Sequence, residues 1–231
     1  ETAMTHDNTT DLQVISGGSG NIFSESFFNQ TFSLNSVNLR SNGSNDPINI
    51  GGDLTTVGNL DIHLNGSDNA LNITGDVTTG GYNYISSHGT NNDVTIGGDI
   101  SSSDYSYIYS NGSSGSITLG GDVTAATSNT VWTNSSATNS DVSIGGNVTA
   151  SNGNLSVESH HSSVSVIGNV TATSGDITLR NNSGGNDVTI GGNVSTTDNL
   201  TLGASGTINT TGSNTSIISD SNGTNTGALS I

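Results

Sequence analysis

A block reading apolar, polar, apolar, Gly, Gly, acidic or amide, apolar, Ser or Thr returns along most of the chain. Its second glycine falls at Gly52, Gly75, Gly98, Gly121, Gly146, Gly168 and Gly192, with spacings of 23, 23, 23, 25, 22 and 24 residues. A period of this length, built from strand and turn residues, marks stacked coils that bury their apolar face only against neighbouring coils.

Counting from the second glycine gives three apolar columns. Four residues before it stand Ile48, Leu71, Val94, Ile117, Val142, Val164 and Val188. Two before it stand Ile50, Ile73, Ile96, Leu119, Ile144, Val166 and Ile190, and two after it Leu54, Val77, Ile100, Val123, Val148, Val170 and Val194. The position between the first two columns is always Asn, Thr or Ser, which is the two-residue alternation of a half-buried strand. The glycine pair bends the chain between two short strands, either because a side chain would clash there or because φ is positive. Each coil turns again into a further strand such as residues 59–64, and an Asn/Ser/Gly-rich loop closes it and absorbs the differences in length. The fold class expected is all-β, a right-handed parallel β-helix (β-solenoid) with about 23 residues per coil. At about 4.8 Å per coil, seven coils make a rod of roughly 30 Å.

Only 29% of residues are hydrophobic, which would suit a disordered linker were the Ile and Val not held in columns. Residues 1–33 hold all four phenylalanines, Phe23, Phe27, Phe28 and Phe32, and lack the glycine block, so they read as an N-terminal cap or irregular first coil. Residues 34–204 form the regular coils, and 205–231 a last coil with a closing strand.

Nineteen acidic residues face two arginines, Arg40 and Arg180, and no lysine, for a formal charge of −17. Such a surface repels nucleic acid and anionic membranes. No apolar run reaches membrane-spanning length and the first residue is Glu, so the chain reads as a processed or excised extracellular protein that does not insert in a membrane. There is no cysteine, so stability rests on stacking rather than disulfides.

Three sets of residues are candidates for a role beyond scaffold. The position after the glycine pair carries Asp53, Asp76, Asp99 and Asp122, then Asn147, Asn169 and Asn193. Stacked amides bond one another; stacked carboxylates repel unless each caps backbone N–H groups of its turn or Ca²⁺ lies between them, so both capping and a Ca²⁺ line are open. The three asparagines also head Asn-x-Ser/Thr triplets, which makes them possible glycosylation sites. All five tyrosines and the one tryptophan lie in adjacent coils: Tyr82 and Tyr105, Tyr84 and Tyr107, and Tyr109 and Trp132 are each 23 apart. Facing outward, they form a strip suited to glycan stacking or a partner; the opposite parity buries four of them as an internal stack. A Thr/Ser column at Thr55, Thr78, Ser101, Thr124, Thr149, Thr171 and Ser195 lacks the paired uniformity of an ice-binding face and fits β-propensity.

Catalysis finds little support. A lyase for acidic sugars needs basic side chains, and the two arginines lie several coils apart; a hydrolase needs close paired carboxylates, which only the Asp column offers. His160 and His161 lack further ligands for a metal.

Blocks such as residues 93–99 (Asp-Val-Thr-Ile-Gly-Gly-Asp), 141–147 and 187–193, followed by Gly-Asn-Leu-Ser-Val or Gly-Asp-Ile-Thr-Leu, resemble the repeats of filamentous-haemagglutinin-like adhesins of the two-partner secretion pathway. The resemblance covers about residues 34–202. It implies a right-handed β-helical surface rod that attaches cells to other cells, hosts or matrix, with Asn glycosylation in some members. The function expected is a secreted, non-catalytic structural or adhesive rod or filament subunit, whose partners are copies of itself or cell-surface glycans. A polysaccharide-binding or polysaccharide-degrading β-helix is the alternative.

Overall fold

The computed structural model describes residues 12–16, 32–134, 140–182, 186–204, 206–210, 217–218 and 229–230. Among them there is no helix, and every strand belongs to one of three parallel sheets that form the walls of a β-solenoid. Each coil contributes a three-residue strand before the glycine pair, a three-residue strand after it, and a five-residue strand to the widest wall, as in Ile48–Ile50, Leu54–Thr56 and Leu60–Leu64. The walls contain eight, nine and ten strands respectively.

Strand register keeps like residues over like. Ile48 lies against Leu71 and then Val94, and Leu54 against Val77 and then Ile100. The three apolar columns are fully buried, joined by a fourth on the wide wall through Leu39, Ile62, Ile85, Ile108, Val131 and Val157. Since burying a Val, Leu or Ile side chain is worth roughly 1.5–3 kcal/mol, the columns together oppose the entropy of ordering so polar a chain. A coil alone exposes this interior, so the stack folds by contact between neighbours.

Length variation is not spread evenly. The turn through the glycine pair has three residues in every described coil, for example Gly51–Asp53, Thr74–Asp76 and Ile167–Asn169. Two coils, however, have four residues rather than three between the post-glycine strand and the wide wall: Ser151–Asn154 and Thr173–Asp176.

Of the segment 1–33, the strands Leu12–Ser16 and Phe32–Leu34 pair in parallel with Val37–Ser41 and Leu54–Thr56. Phe23, Phe27 and Phe28 lie outside the described residues. At the other end Ile208–Thr210, Ile217–Ile218 and Leu229–Ser230 each continue one of the three walls.

Candidate binding surface

The Asp column is a backbone-capping ladder that runs between coils. Oδ1 of Asp53 accepts the N–H of Asp76 at 2.9 Å, Asp76 that of Asp99 at 2.8 Å, Asp99 that of Asp122 at 2.8 Å, and Asp122 that of Asn147 at 2.7 Å. Asn147 and Asn169 continue it to Asn169 and Asn193, both at 2.8 Å. The capped N–H belongs to the next coil rather than to the aspartate's own turn, because at the corner that N–H has no carbonyl in line with it. Asp93, Asp141 and Asp187 cap Ser116, Ser163 and Thr207 in the same way.

The ladder also explains the glycine. None of the block glycines has a positive φ, so clash is the operative reason. A Cβ on Gly75, Gly98, Gly121 or Gly146 would lie 2.1–2.3 Å from the Oδ1 of the preceding coil's aspartate. The first glycine faces backbone rather than a carboxylate, a Cβ on Gly97 lying 2.7 Å from the Thr74 carbonyl oxygen, and Thr74 and Ile167 carry side chains in its column.

The capping oxygens face N–H groups, and among the described residues no group of three or more His, Cys, Asp or Glu side chains converges as metal ligands would. The amides of Asn147 and Asn169 also donate through Nδ2 to the Oδ1 of Asp122 and Asn147, at 3.1 Å each.

The wide wall is the distinctive surface. Ile85, Ile108 and Val131 point inward, and the tyrosines and Trp132 stand half-buried on the outer face. Their rings stack from coil to coil. Tyr82 and Tyr105 are 5.0 Å apart at 8°, Tyr84 and Tyr107 5.5 Å at 7°, and Tyr109 and Trp132 5.6 Å at 16°. Tyr107 meets Tyr109 at 5.6 Å and 58°, which joins two of the columns into one strip. Centroids 4.5–7 Å apart are the favourable range for aromatic pairs.

Histidines from three coils border this strip. His63 packs on Tyr84 at 5.5 Å, His88 meets Tyr109 edge-on at 5.1 Å, and His160 meets Trp132 at 6.0 Å. Burial, then Arg40, holds the His63 imidazole below its ordinary pKa, and its Nδ1 lies 2.8 Å from Ser86 Oγ. The Tyr82 hydroxyl donates to Asp61 Oδ2 at 2.9 Å. Burial first, then that hydrogen bond, pushes its pKa up to about 12; burial likewise raises Tyr105, Tyr107 and Tyr109. Raised above the ordinary value of about 10, these four phenols are neutral at physiological pH and offer uncharged faces with polar edges.

Beyond Trp132 the surface drops into a groove of about 450 Å³. The outward column that carries Tyr84 and Tyr107 continues as Thr130, Ser156 and Thr178, so its large rings give way to a low floor. The neighbouring column reads Tyr109, Trp132, Glu158, Arg180 and forms one wall. Asn154 and Asp176, each the last residue of a four-residue corner, line the groove opposite. Arg180 Nε donates to Glu158 Oε2 at 2.5 Å, and Ser156 Oγ donates to Oε1 of the same carboxylate. Only the Asp column had offered paired carboxylates in the sequence; the fold brings Glu158 and Asp176 into one groove with Arg180. Arg40 stands in the same outward column, several coils away.

The chain matches no protein-family model, no curated protein and no solved structure. A functional reading therefore rests on geometry. Among the described residues no helix is long and apolar enough to cross a membrane.

Proposed function

We propose that the chain is a secreted, non-catalytic β-solenoid that serves as an adhesive surface rod and binds extracellular glycans through the outer face of its wide wall. The observation that carries this reading is the stacked aromatic strip from Tyr82 and Tyr84 to Trp132. Sugar rings present C–H faces that pack on aromatic rings, and hydroxyls that bond to polar edges such as Asp61 and His88. The strip lies on a rigid sheet, so little conformational entropy is lost when a ligand docks. A formal charge of −17 favours uncharged ligands over nucleic acid or anionic membranes.

The test is retention on insoluble polysaccharides and glycan arrays at physiological salt, comparing the wild type with Tyr82→Ala/Tyr84→Ala/Tyr105→Ala. At least tenfold weaker retention is expected for the triple variant. Equal retention, or none by the wild type, would sink the reading.

Two other roles have a specific observation behind them. The wide wall runs from Leu12–Ser16 to Leu229–Ser230, and strand addition at its ends would let copies stack into a filament; only short discrete rods in negative-stain images would remove that role. Polysaccharide cleavage is favoured by Glu158, Asp176 and Arg180 sharing one groove. Against it, both Glu158 oxygens accept hydrogen bonds from this chain. Release of reducing ends from a bound polysaccharide, lost in Glu158→Gln, would replace adhesion by catalysis.

A further inference from the structure

The geometry points to the groove beyond Trp132 as a discrete subsite for neutral pyranose units, distinct in chemistry from the flat aromatic strip. This inference rests on the glycan reading above and deepens it.

Three features distinguish the groove from the strip it adjoins. First, it is built by what differs between coils: the only two four-residue corners between a post-glycine strand and the wide wall among the described residues, Ser151–Asn154 and Thr173–Asp176, supply Asn154 and Asp176 on one side. Gly175 sits in the second of these corners at φ 126°, a conformation that favours glycine, and its N–H donates to Asp198 Oδ2 at 2.8 Å. The longer corner is thus tied to the coil beyond it.

Second, the floor of Thr130, Ser156 and Thr178 is hydroxyl-bearing, while Tyr107 and Trp132 bring ring surface to one end. The volume of about 450 Å³ falls within the roughly 300–1,000 Å³ of pockets that hold small ligands. Third, the polar groups are mixed in sign. Asp176 Oδ1 caps Asn199 through its N–H and Nδ2 at 3.0 and 2.9 Å and leaves Oδ2 as an acceptor, Glu158 accepts through its remaining lone pairs, Arg180 donates, and the Arg180–Glu158 pair orients both side chains before a ligand arrives. A neutral polyol satisfies donors and acceptors together. An anionic sugar would meet Glu158, Asp176 and the overall acidic field with one arginine already paired.

In this arrangement Trp132 stacks on the sugar, Glu158 and Asp176 accept its hydroxyl protons in hydrogen bonds, and Ser156 and Thr178 set the depth to which the ring sinks. No bond to the sugar is made or broken.

The chain carries its own probe, because Trp132 is its one tryptophan. Fluorescence of the full chain is titrated with neutral tetrasaccharides (cello-, manno-, malto- and xylotetraose) and with tetragalacturonate. The expected result is a saturable shift of Trp132 emission with at least one neutral tetrasaccharide and none with tetragalacturonate. Apparent Kd should rise at least threefold in the near-isosteric Glu158→Gln and at least tenfold in Thr178→Leu, which fills the floor; circular dichroism checks that both variants fold.

The subsite is overturned if no neutral tetrasaccharide shifts Trp132, if tetragalacturonate binds as well as they do, or if both variants bind like the wild type. Loss of the subsite alone, with polysaccharide retention still dependent on Tyr82, Tyr84 and Tyr105, leaves the adhesive reading standing. Failure of both removes both.

Discussion

Oδ1 of Asp76 accepts the backbone N–H of Asp99 at 2.8 Å, and it occupies the space that a Cβ on Gly98 would fill, 2.1 Å away. The aspartate and the glycine of the repeat are therefore one device, shared between successive coils. The carboxylate satisfies a corner N–H that no strand carbonyl reaches, and the glycine of the next coil makes room for it.

Gly98→Ala is expected to lower stability by about 2–4 kcal/mol, from the clash with Gly75 backbone atoms at 2.7 Å together with loss of the cap. Gly97→Ala should cost less, since its Cβ would meet the Thr74 carbonyl oxygen at 2.7 Å but displace no capping carboxylate, and Thr74 and Ile167 carry side chains in that column. Urea unfolding of the two variants, with cooperativity compared by two probes, makes the measurement; equal costs would refute the shared-device account.

Asp76→Asn combined with Asp99→Asn should raise stability by roughly 1 kcal/mol at low ionic strength, with the gain shrinking in 1 M NaCl. Asparagine keeps the capping oxygen, as Asn147 does for Asn169 at 2.8 Å, and removes repulsion between stacked carboxylates. If a Ca²⁺ line held the column instead, CaCl2 would raise the melting temperature of the wild type and not of the double variant. The capping ladder expects no effect of CaCl2 on either.

Ser114 has φ 63°, at the corner position where preceding coils place Asn45, Asp68 and Asn91 at 56–57°. Asparagine and aspartate tolerate the left-handed region better than serine does, and glycine better still. Ser114→Gly should therefore stabilise by about 1 kcal/mol, read as a shift in the urea midpoint, whereas Asn91→Val should destabilise.

Stability should fall at alkaline pH. A phenol whose pKa is raised on folding stabilises fully below the unfolded value of about 10, and loses that contribution as pH rises towards the folded value. For Tyr82 the window runs from about 10 to about 12, and Tyr105, Tyr107 and Tyr109 shift in the same direction. Tyrosinate absorbance should titrate with a late component that Asp61→Asn shifts to lower pH, while the melting temperature drops above pH 10. A single tyrosine transition near 10 would contradict this.

The columns were legible in the sequence because a strand alternates strictly and each coil repeats the last. Ile48, Leu71 and Val94 could be stacked on paper, and their burial followed. The aromatic columns could be aligned by the same count, but not their side of the wall, since one residue of slip exchanges inside for outside. Ile85, Ile108 and Val131, buried at the centre of their strands, decide it. Polar residues were harder to place. Asn83, Ser106 and Asn129 are buried in the column that Leu60 and Leu155 fill in other coils, so the interior under the aromatic strip is partly polar.

The repeat by itself determined the solenoid, its three walls and its inward columns, since these follow from local alternation and a fixed period. Only the tertiary structure decided which N–H each aspartate caps, which histidines meet which rings, and that Glu158, Asp176 and Arg180 share a groove beside Trp132. Those relations join residues about one coil apart through side-chain reach and corner length. A one-residue longer corner leaves the period almost unchanged, yet it reshapes the surface on which a ligand would rest.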